Sequence, residues 1–276
     1  MSGRLSVVST PIGHLGDFSF RGVETLRNAH VVACEDTRRT RRLLTHYGIQ
    51  VPLVSVHAHT RVAALERLLD RVSSGEDVAY VTDAGTPGIS DPGGLLVERA
   101  HARGLTVVPV PGPAAVLAAL AGAGLPADRF VFLGFLPRRG TARAELLGRI
   151  AADRLTTVCY EAPGRTAALL TELAARCGPG RTGALARELT KMHEEIRRGT
   201  LGDLAAYYEA HPPRGEVTIV IAGAPAAKRA AAAEPAPDAA SAAAAPGTAS
   251  RPSTAAKELS RRLGISRQDA YRLLNR

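Results

Sequence analysis

Tryptophan is absent from the 276-residue chain, and Phe and Tyr bring the aromatic share to only 4%. A protein that holds single-stranded nucleic acid by stacking base after base needs aromatic platforms, so extensive base stacking is excluded as a mode of recognition. Cysteine is nearly as scarce. Cys34, Cys159 and Cys177 are an odd number, form no CxxC, and lie in or beside apolar segments, which points to buried free thiols rather than a disulfide framework, a metal site or a nucleophile. No run of about 18 apolar residues occurs, and the opening MSGRLSVVSTP has neither a basic n-region nor a long apolar core. Neither a membrane span nor a signal peptide is expected, and the cytoplasm is the expected location.

Catalytic fingerprints are also lacking. There is no dinucleotide fingerprint, a GxGxxG with a suitably placed acidic residue after it, and no GxxxxGKS or GxxxxGKT, which argues against hydride transfer and P-loop hydrolysis. GxSxG and HExxH are missing, and the eight histidines show no ligand spacing; His57 and His59 in SVHAHT read as polar loop residues. Metal catalysis has no support.

The chain does hold positive charge, 35 Lys and Arg against 26 Asp and Glu for a formal +9. That balance suits a polyanionic partner such as RNA, and equally a solvated arginine-rich surface. Hydrophobic residues make up 45% of the chain, enough to bury cores in two domains.

From Leu5 to about Pro111 short β-branched runs (LSVVST, VVACED, VPLVSV, VAYVTD, LTVVPV) alternate with amphipathic stretches (RGVETLRNA, TRRTRRLLTHYG, AALERLLDRVSSG, GLLVERAHARG). Apolar strands this short, separated by helices, predict a mostly parallel sheet covered on both faces. An alanine-rich helix in PGPAAVLAALAGAGLP then leads to further strands at FVFLGFLP, TTVCYEA, GALARELT, EEIRRGT and EVTIVIAG, the last preceded by a helix in GDLAAYYEA. The expected class is α/β: an N-terminal α/β domain over 1–113 and a second over 114–223. Residues 224–253, almost wholly Ala, Pro, Ser and Gly, read as a flexible linker. Over 254–276 an apolar seam of Leu259, Leu263, Ile265, Ala270, Leu273 and Leu274 predicts two short helices around GIS, a helix-turn-helix-like segment. Its six basic residues against Glu258 and Asp269 suit RNA contact, and docking on the body or on another copy stays open.

Four glycine- or proline-marked loops follow strands: STPIGHLGD, DAGTPGISDPG, PVPGPAA and YEAPGR. Either these are ordinary turns or they line a cleft at the strands' C-terminal ends. A cleft of backbone groups with few catalytic side chains suits a cofactor that carries its own reactivity, as S-adenosylmethionine does.

The succession TPIGHLGD, CEDTRRT, DAGTPGISDPG, VPVPGPAAVLAALAGAGLPADRFVFLGFLP and ARELTKMHEE resembles the tetrapyrrole-methylase fold family over about residues 4 to 223, and within it the members that act on ribosomal RNA. The resemblance implies a homodimer of two α/β domains with S-adenosylmethionine in the cleft between them and no metal. It implies methylation of a cytidine ribose 2′-hydroxyl at the decoding centre of small-subunit rRNA, with a tetrapyrrole or other small-molecule acceptor as the alternative. Carried over by position, the cofactor site comprises Asp83, Ala84, Gly85, Thr86, Pro87, Gly88 and Ser90 of the second loop. It continues with Pro111, Gly112, Pro113, Ala114 and Ala115 of the third, and with Tyr160, Glu161 and Ala162. Leu185, Ala186, Arg187, Glu216 and Val217 complete it. Pro11, Gly13 and His14 of the first loop face the RNA, although His14 stands where the family has asparagine, and the linker is longer than the family's.

A ribose hydroxyl is a weak nucleophile whose proton needs an acceptor. Glu35 and Asp36, at the end of VVAC, are the leading candidates, with His14 and Lys191 next; for Asp36 a helix cap is the competing role. Arg38, Arg41 and Arg42 fall at i, i+3 and i+4, and with Arg39, Arg138, Arg139 and Arg143 form an expected phosphate rim, a solvated arginine face being the other reading.

Overall fold

A computed structural model describes residues 2–57, 59–91 and 93–225, together with Ser260, Ser266 and Gln268. In the first half β1 (Arg4–Val8), α1 (Phe20–Asn28), β2 (Val31–Cys34), α2 (Thr37–His46) and β3 (Leu53–Ser55) are followed by α3 (Val62–Ser73), β4 (Val78–Val81), α4 (Gly94–Ala102) and β5 (Thr106–Val110). These strands form one sheet in the order β3-β2-β4-β1-β5, every pairing parallel. Period-two alternation sends Val31, Ala33, Val78 and Tyr80 to the face covered by α3 and α4, and Val32, Cys34, Ala79 and Val81 to the face covered by α1 and α2. Because both faces are buried, VVAC and VAYV are apolar throughout. Leu26 and Leu69, both fully enclosed, each contribute about 2 kcal/mol of burial.

Side-chain caps start several helices. Ser19 accepts from the Gly22 amide at 3.0 Å, and Asp36 accepts from the Arg38 amide at 2.8 Å.

The second half comprises α5 (Ala115–Ala123), β6 (Phe130–Phe135), α6 (Thr141–Ala152), β7 (Thr156–Glu161), α7 (Thr166–Cys177), β8 (Thr182–Arg187), β9 (Glu195–Thr200), α8 (Leu201–Ala210) and β10 (Val217–Ile221). Its sheet runs β6-β7-β10-β8-β9, parallel at β6–β7 and antiparallel elsewhere. Leu147, Leu169, Leu173 and Tyr208 of α6, α7 and α8 bury one face, while Val116, Ala119 and Leu120 of α5 bury the other. Ile12, from the loop after β1, joins the α5 core, so the first loop is anchored in the second sheet's packing.

Both sheets belong to one compact unit, Met1–Ala227. The five sequence-predicted strands of the second half are present, and α6 and α7 add to them. The chain does contain one GxGxxG string, Gly178 to Gly183, but it is the turn from α7 into β8. A dinucleotide loop leaves a strand and enters a helix, the reverse order. Cys34 and Cys159 are buried and Cys177 is half-buried, all three as free thiols; burial pushes the Cys159 thiol up to about 12. Residues 226–253 of the linker lie outside the described residues, as does the helix-turn-helix-like segment apart from the three named above. Among the described residues no helix is long and apolar enough to cross a membrane.

Candidate active site

In the parallel sheet every strand delivers its following loop to the same edge. β1 and β4 are neighbours there, yet β1 leads to α1 on one face and β4 to α4 on the other, which opens a crevice between their loops. Thr86 ties the crevice together. Its hydroxyl donates to the Pro113 carbonyl at 3.1 Å and lies 3.0 Å from Ser9 Oγ, so the Ser9 hydroxyl donates to it, and three loops meet on one side chain. Thr10 and Gly85 exchange both backbone bonds, at 2.8 and 3.1 Å. From the second sheet, Tyr160 Oη accepts from the Val116 amide at 3.2 Å and so fixes β7 to the start of α5.

These loops enclose a cavity of about 440 Å³, within the range of sites that hold small molecules and cofactors. Ile12, Ile89, Phe135, Ala114 and Ala115 supply apolar wall; Tyr160, Thr86 and Ser90 supply hydroxyls. Five carboxylates, Glu35, Asp83, Asp91, Glu161 and Glu216, line it against one guanidinium, Arg39. Glu161 is fully buried on Arg165, Asp83 pairs with Arg39 at 3.5 Å, and Glu216 pairs with Lys191 at 3.0 Å. Glu35 and Asp91 have no ion-pair partner among the described residues, and both titrate high. Burial pushes Asp91 up to about 6, helped by repulsion from Glu35, Asp83 and Glu216. Burial and the neighbouring Asp83 raise Glu35 in the same direction.

Backbone strain collects around this cavity. Among the described residues the non-glycine positions with positive φ are Ser90 (61°), Glu188 (51°) and Thr190 (65°). Ser90 lies in the cavity wall, and the other two form the turn that carries Lys191. Conformations of this kind persist where surrounding contacts over-determine them.

Of the sequence-predicted cofactor positions, Asp83, Ala84, Gly85, Thr86 and Ser90 line the cavity, as do Ala114, Ala115, Tyr160, Glu161, Ala162, Glu216 and Val217. Others do not. Leu185 and Ala186 are buried on opposite faces of β8, and Arg187 pairs with Glu195 at 2.7 Å, so β8 contributes to packing and not to the wall. Pro87, Gly88, Pro111, Gly112 and Pro113 shape the loops from outside; a Cβ at Gly112 would stand 3.0 Å from Ser9 Cβ. The Gly85 amide is committed to Thr10, so it is not the free donor that a glycine-rich loop suggests.

Asp36 requires a correction as a candidate base. It caps α2, and its two oxygens take Arg38 Nε and Nη2 at 3.2 and 2.9 Å. Those Arg38 contacts hold its carboxyl down at about 2. Such a group is a poor proton acceptor near neutrality, and Asp36 does not line the cavity, whereas Glu35 does. His14 is also outside the cavities; its amide donates to Thr190 Oγ1 at 3.0 Å and its ring points toward Asp17 at 4.0 Å. Lys191 bonds Glu188 at 2.9 Å and Glu216 at 3.0 Å, and these partners raise its pKa against the effect of burial. It is a cation near neutrality, not a base.

Asp91 was within reach of the sequence, since it follows Ser90 in a loop already marked by its glycines. Ile89, of the same loop, also lines the cavity, as do Phe135 and Thr218, which only tertiary folding brings there.

A second cavity of about 280 Å³ adjoins the first and shares Ile12, Arg39, Asp83, Ala84 and Glu216 with it; Pro11, Gly13, Leu15, Arg42, Leu43 and Lys191 close it. Gly13 is there for close approach, because a Cβ would fall 2.5 Å from Lys191 Cγ. A third, more open groove of about 590 Å³ lies along α2, between Leu15, Arg38, Arg41, Arg42, Thr45 and His46. Arg138 and Arg139 are exposed and line none of these. Arg143 is a second correction: it is enclosed and bonds Glu172 at 3.0 Å and the Pro137 carbonyl at 2.9 Å, so its charge serves α6–α7 packing. Among the described residues no group of three or more His, Cys, Asp or Glu side chains is placed to hold a metal ion.

Loops at one edge of a parallel sheet and a mixed second sheet enclose a carboxylate-lined cavity of a size that holds a small molecule, and sequence comparison gives the class of protein. Residues 4–205 match the Tetrapyrrole (Corrin/Porphyrin) Methylases, and the chain belongs to that family. It is similar to the ribosomal RNA small subunit methyltransferase I of Synechocystis, 42% identical over 98% of this chain and 97% of that protein. It is also similar to its namesake in Xylella fastidiosa strain Temecula1, 45% identical over 80% of this chain and 82% of that protein. A solved structure of the uroporphyrin-III C-methyltransferase of Thermus thermophilus, complexed with S-adenosyl homocysteine, shares the fold. Its TM-score is 0.56 at 20% identity, over 79% of this chain and 97% of that one.

Proposed function

We propose that the chain transfers a methyl group from S-adenosylmethionine to the ribose 2′-hydroxyl of a cytidine in small-subunit ribosomal RNA. The observation that carries this reading is the adjacency of two opposite environments, a carboxylate-lined cavity and an arginine-lined groove, joined through a smaller cavity. The ribosomal RNA methyltransferases to which the chain is similar support the acceptor.

The cavity fits the cofactor by its donor set. S-Adenosylmethionine carries a sulfonium and an ammonium, and two cavity carboxylates without ion-pair partners among the described residues, Glu35 and Asp91, are pushed up by burial and by repulsion from their acidic neighbours. A cation placed there offsets their repulsion. Ile89, Phe135 and Ala115 offer apolar surface for a nucleoside. The bound cofactor supplies a methyl group already activated on sulfur.

The chain's own residues then have three tasks. The walls enclose the reacting groups and exclude water. Asp91, raised to about 6 by burial and brought lower by the cofactor's cation, is ionised near neutrality and accepts the hydroxyl proton as the ribose oxygen attacks. Burial sets most of that upward shift, and repulsion from Glu35 adds to it. The unpaired arginines of α2 hold the phosphate backbone.

The test is direct. Purified protein is incubated with methyl-labelled S-adenosylmethionine and small subunits from a strain lacking the modification, and the labelled nucleoside is mapped. The reading predicts 2′-O-methylcytidine at one position. Label on a base, or no transfer to subunits but transfer to a small-molecule acceptor, overturns it.

A further inference from the structure

The smaller cavity lies between the two environments and has a character of its own. Pro11, Ile12, Leu15 and Leu43 give it apolar walls. Lys191 is neutralised by Glu188 and Glu216, and Arg39 leans on Asp83, so Arg42 is the lining cation without an ion-pair partner among the described residues. The walls are held in place: Tyr47 Oη donates to the Leu15 carbonyl, and the Phe18 and Tyr47 rings meet edge to face at 5.4 Å. At about 280 Å³ it has room for one nucleoside and none for a duplex. It opens at one end to the carboxylate cavity through five shared residues, and at the other to the α2 groove through Leu15 and Arg42.

Resting on the RNA reading above, we propose that this cavity takes a single unstacked nucleotide of the RNA, and that the strand leaves it along α2 past Arg42, Arg41 and Arg38. Arg41 and Arg42 make no ion pair or hydrogen bond with the described residues, and 38, 41 and 42 share one helical face. A nucleotide seated there places its ribose at the junction with the cofactor cavity. Paired RNA displays its 2′-hydroxyls along a wide, shallow minor groove that is too bulky to enter a cavity of this size, whereas a single unstacked nucleotide can bring its ribose inside. The apolar walls make up for the scarcity of aromatic platforms by enclosing one residue instead of stacking several.

The experiment uses unmodified small subunits with S-adenosylhomocysteine present to hold the complex, ultraviolet crosslinking, and mapping of crosslinked peptides. Crosslinks are expected in 9–18 and 37–47. Leu15→Trp enlarges a side chain that is 38% exposed, so it blocks the passage without repacking the core. It should lower kcat/KM for subunits at least 10-fold while calorimetric S-adenosylmethionine affinity stays within about 2-fold. Arg41→Gln with Arg42→Gln should reduce the slope of log affinity against log salt by about 1.4, two phosphate contacts on a single strand. If the wild type methylates subunits but crosslinks map to the Arg138–Arg139 loop, or Leu15→Trp leaves kcat/KM unchanged, this subsite is wrong and the RNA reading stands. If the wild type neither binds nor methylates subunits, both fail.

Discussion

Two arginine-rich regions of the molecule use their charge differently. On α3 and α4, Arg99 bonds Glu66 at 2.6 Å, Arg103 bonds Glu66 at 3.1 Å and Asp70 at 2.7 Å, and Arg71 reaches Glu76. On α2, Arg38 pairs with its own cap and Arg39 leans on Asp83, while Arg41 and Arg42 have no partner among the described residues. A net charge of +9 therefore says little about where an anion binds; the arginines left unpaired beside a groove say more. The carboxylates divide in the same way. Glu66, Glu172 and Glu195 neutralise arginines, whereas Glu35 and Asp91 face a cavity with their charge uncompensated.

This contrast is sharpest at Asp91. Asp91→Asn should lower single-turnover methylation at saturating cofactor by about 10²-fold or more, the usual scale of a lost general base. Quenched-flow measurement of the variant checks this, and unfolding by circular dichroism confirms that it is folded.

The arginine comparison comes next in size. Arg41→Gln with Arg42→Gln should weaken subunit binding about 10-fold at physiological salt and flatten its salt dependence. Arg99→Gln with Arg103→Gln removes the same formal charge and should leave the salt slope unchanged while lowering the thermal midpoint. Filter binding across a salt series, run on both pairs, separates them; equal losses would erase the distinction between paired and unpaired arginines.

Smaller still is the effect of Glu35→Gln on the pH profile. Asp91 is active when ionised, so kcat/KM falls as pH drops through its titration, which burial raises to about 6 and the bound cofactor's cation lowers from there. Removing the Glu35 carboxylate removes a repulsion that raises Asp91, so the acid limb should move to lower pH. A limb that stays in place takes Glu35 out of the electrostatic account.

Asp36→Ala should have the smallest catalytic effect. It loses the α2 cap and lowers the unfolding midpoint by roughly 2–4 °C, with the methylation step of the folded enzyme nearly unaltered. Asn at the same position keeps the cap and should restore the midpoint.

The parallel sheet was legible in the sequence because its strands are short apolar runs bounded by helices, and burial on both faces leaves no alternation to misread. Its loops were legible for a related reason: Gly and Pro mark where the chain turns sharply after a strand. What those loops do with their groups was not legible. Gly85 faces the cavity, but its amide bonds Thr10, a partner 75 residues earlier in the chain. Asp36 and Glu35 look alike as neighbours in CEDT. Only the start of α2 sends one to a helix cap and the other to the cavity. Asp91 carries no spacing signal, because its raised pKa comes from burial and from carboxylates contributed by β2, β4 and the loop before β10. Leu185, Ala186 and Arg187 show the converse case, in which positions carried over from a family fall on a strand whose side chains serve packing and an ion pair and do not line the cavity.

The most direct test of the whole account is single-turnover methylation of unmodified small subunits at subsaturating concentration, followed across pH for wild type and Asp91→Asn, with the product nucleoside identified. The account predicts 2′-O-methylcytidine, an acid limb at or below about pH 6 in the wild type, and a variant about 10²-fold slower in which that limb is gone. A methyl group on a base, or an Asp91→Asn enzyme with the wild-type rate and the wild-type limb, would contradict it.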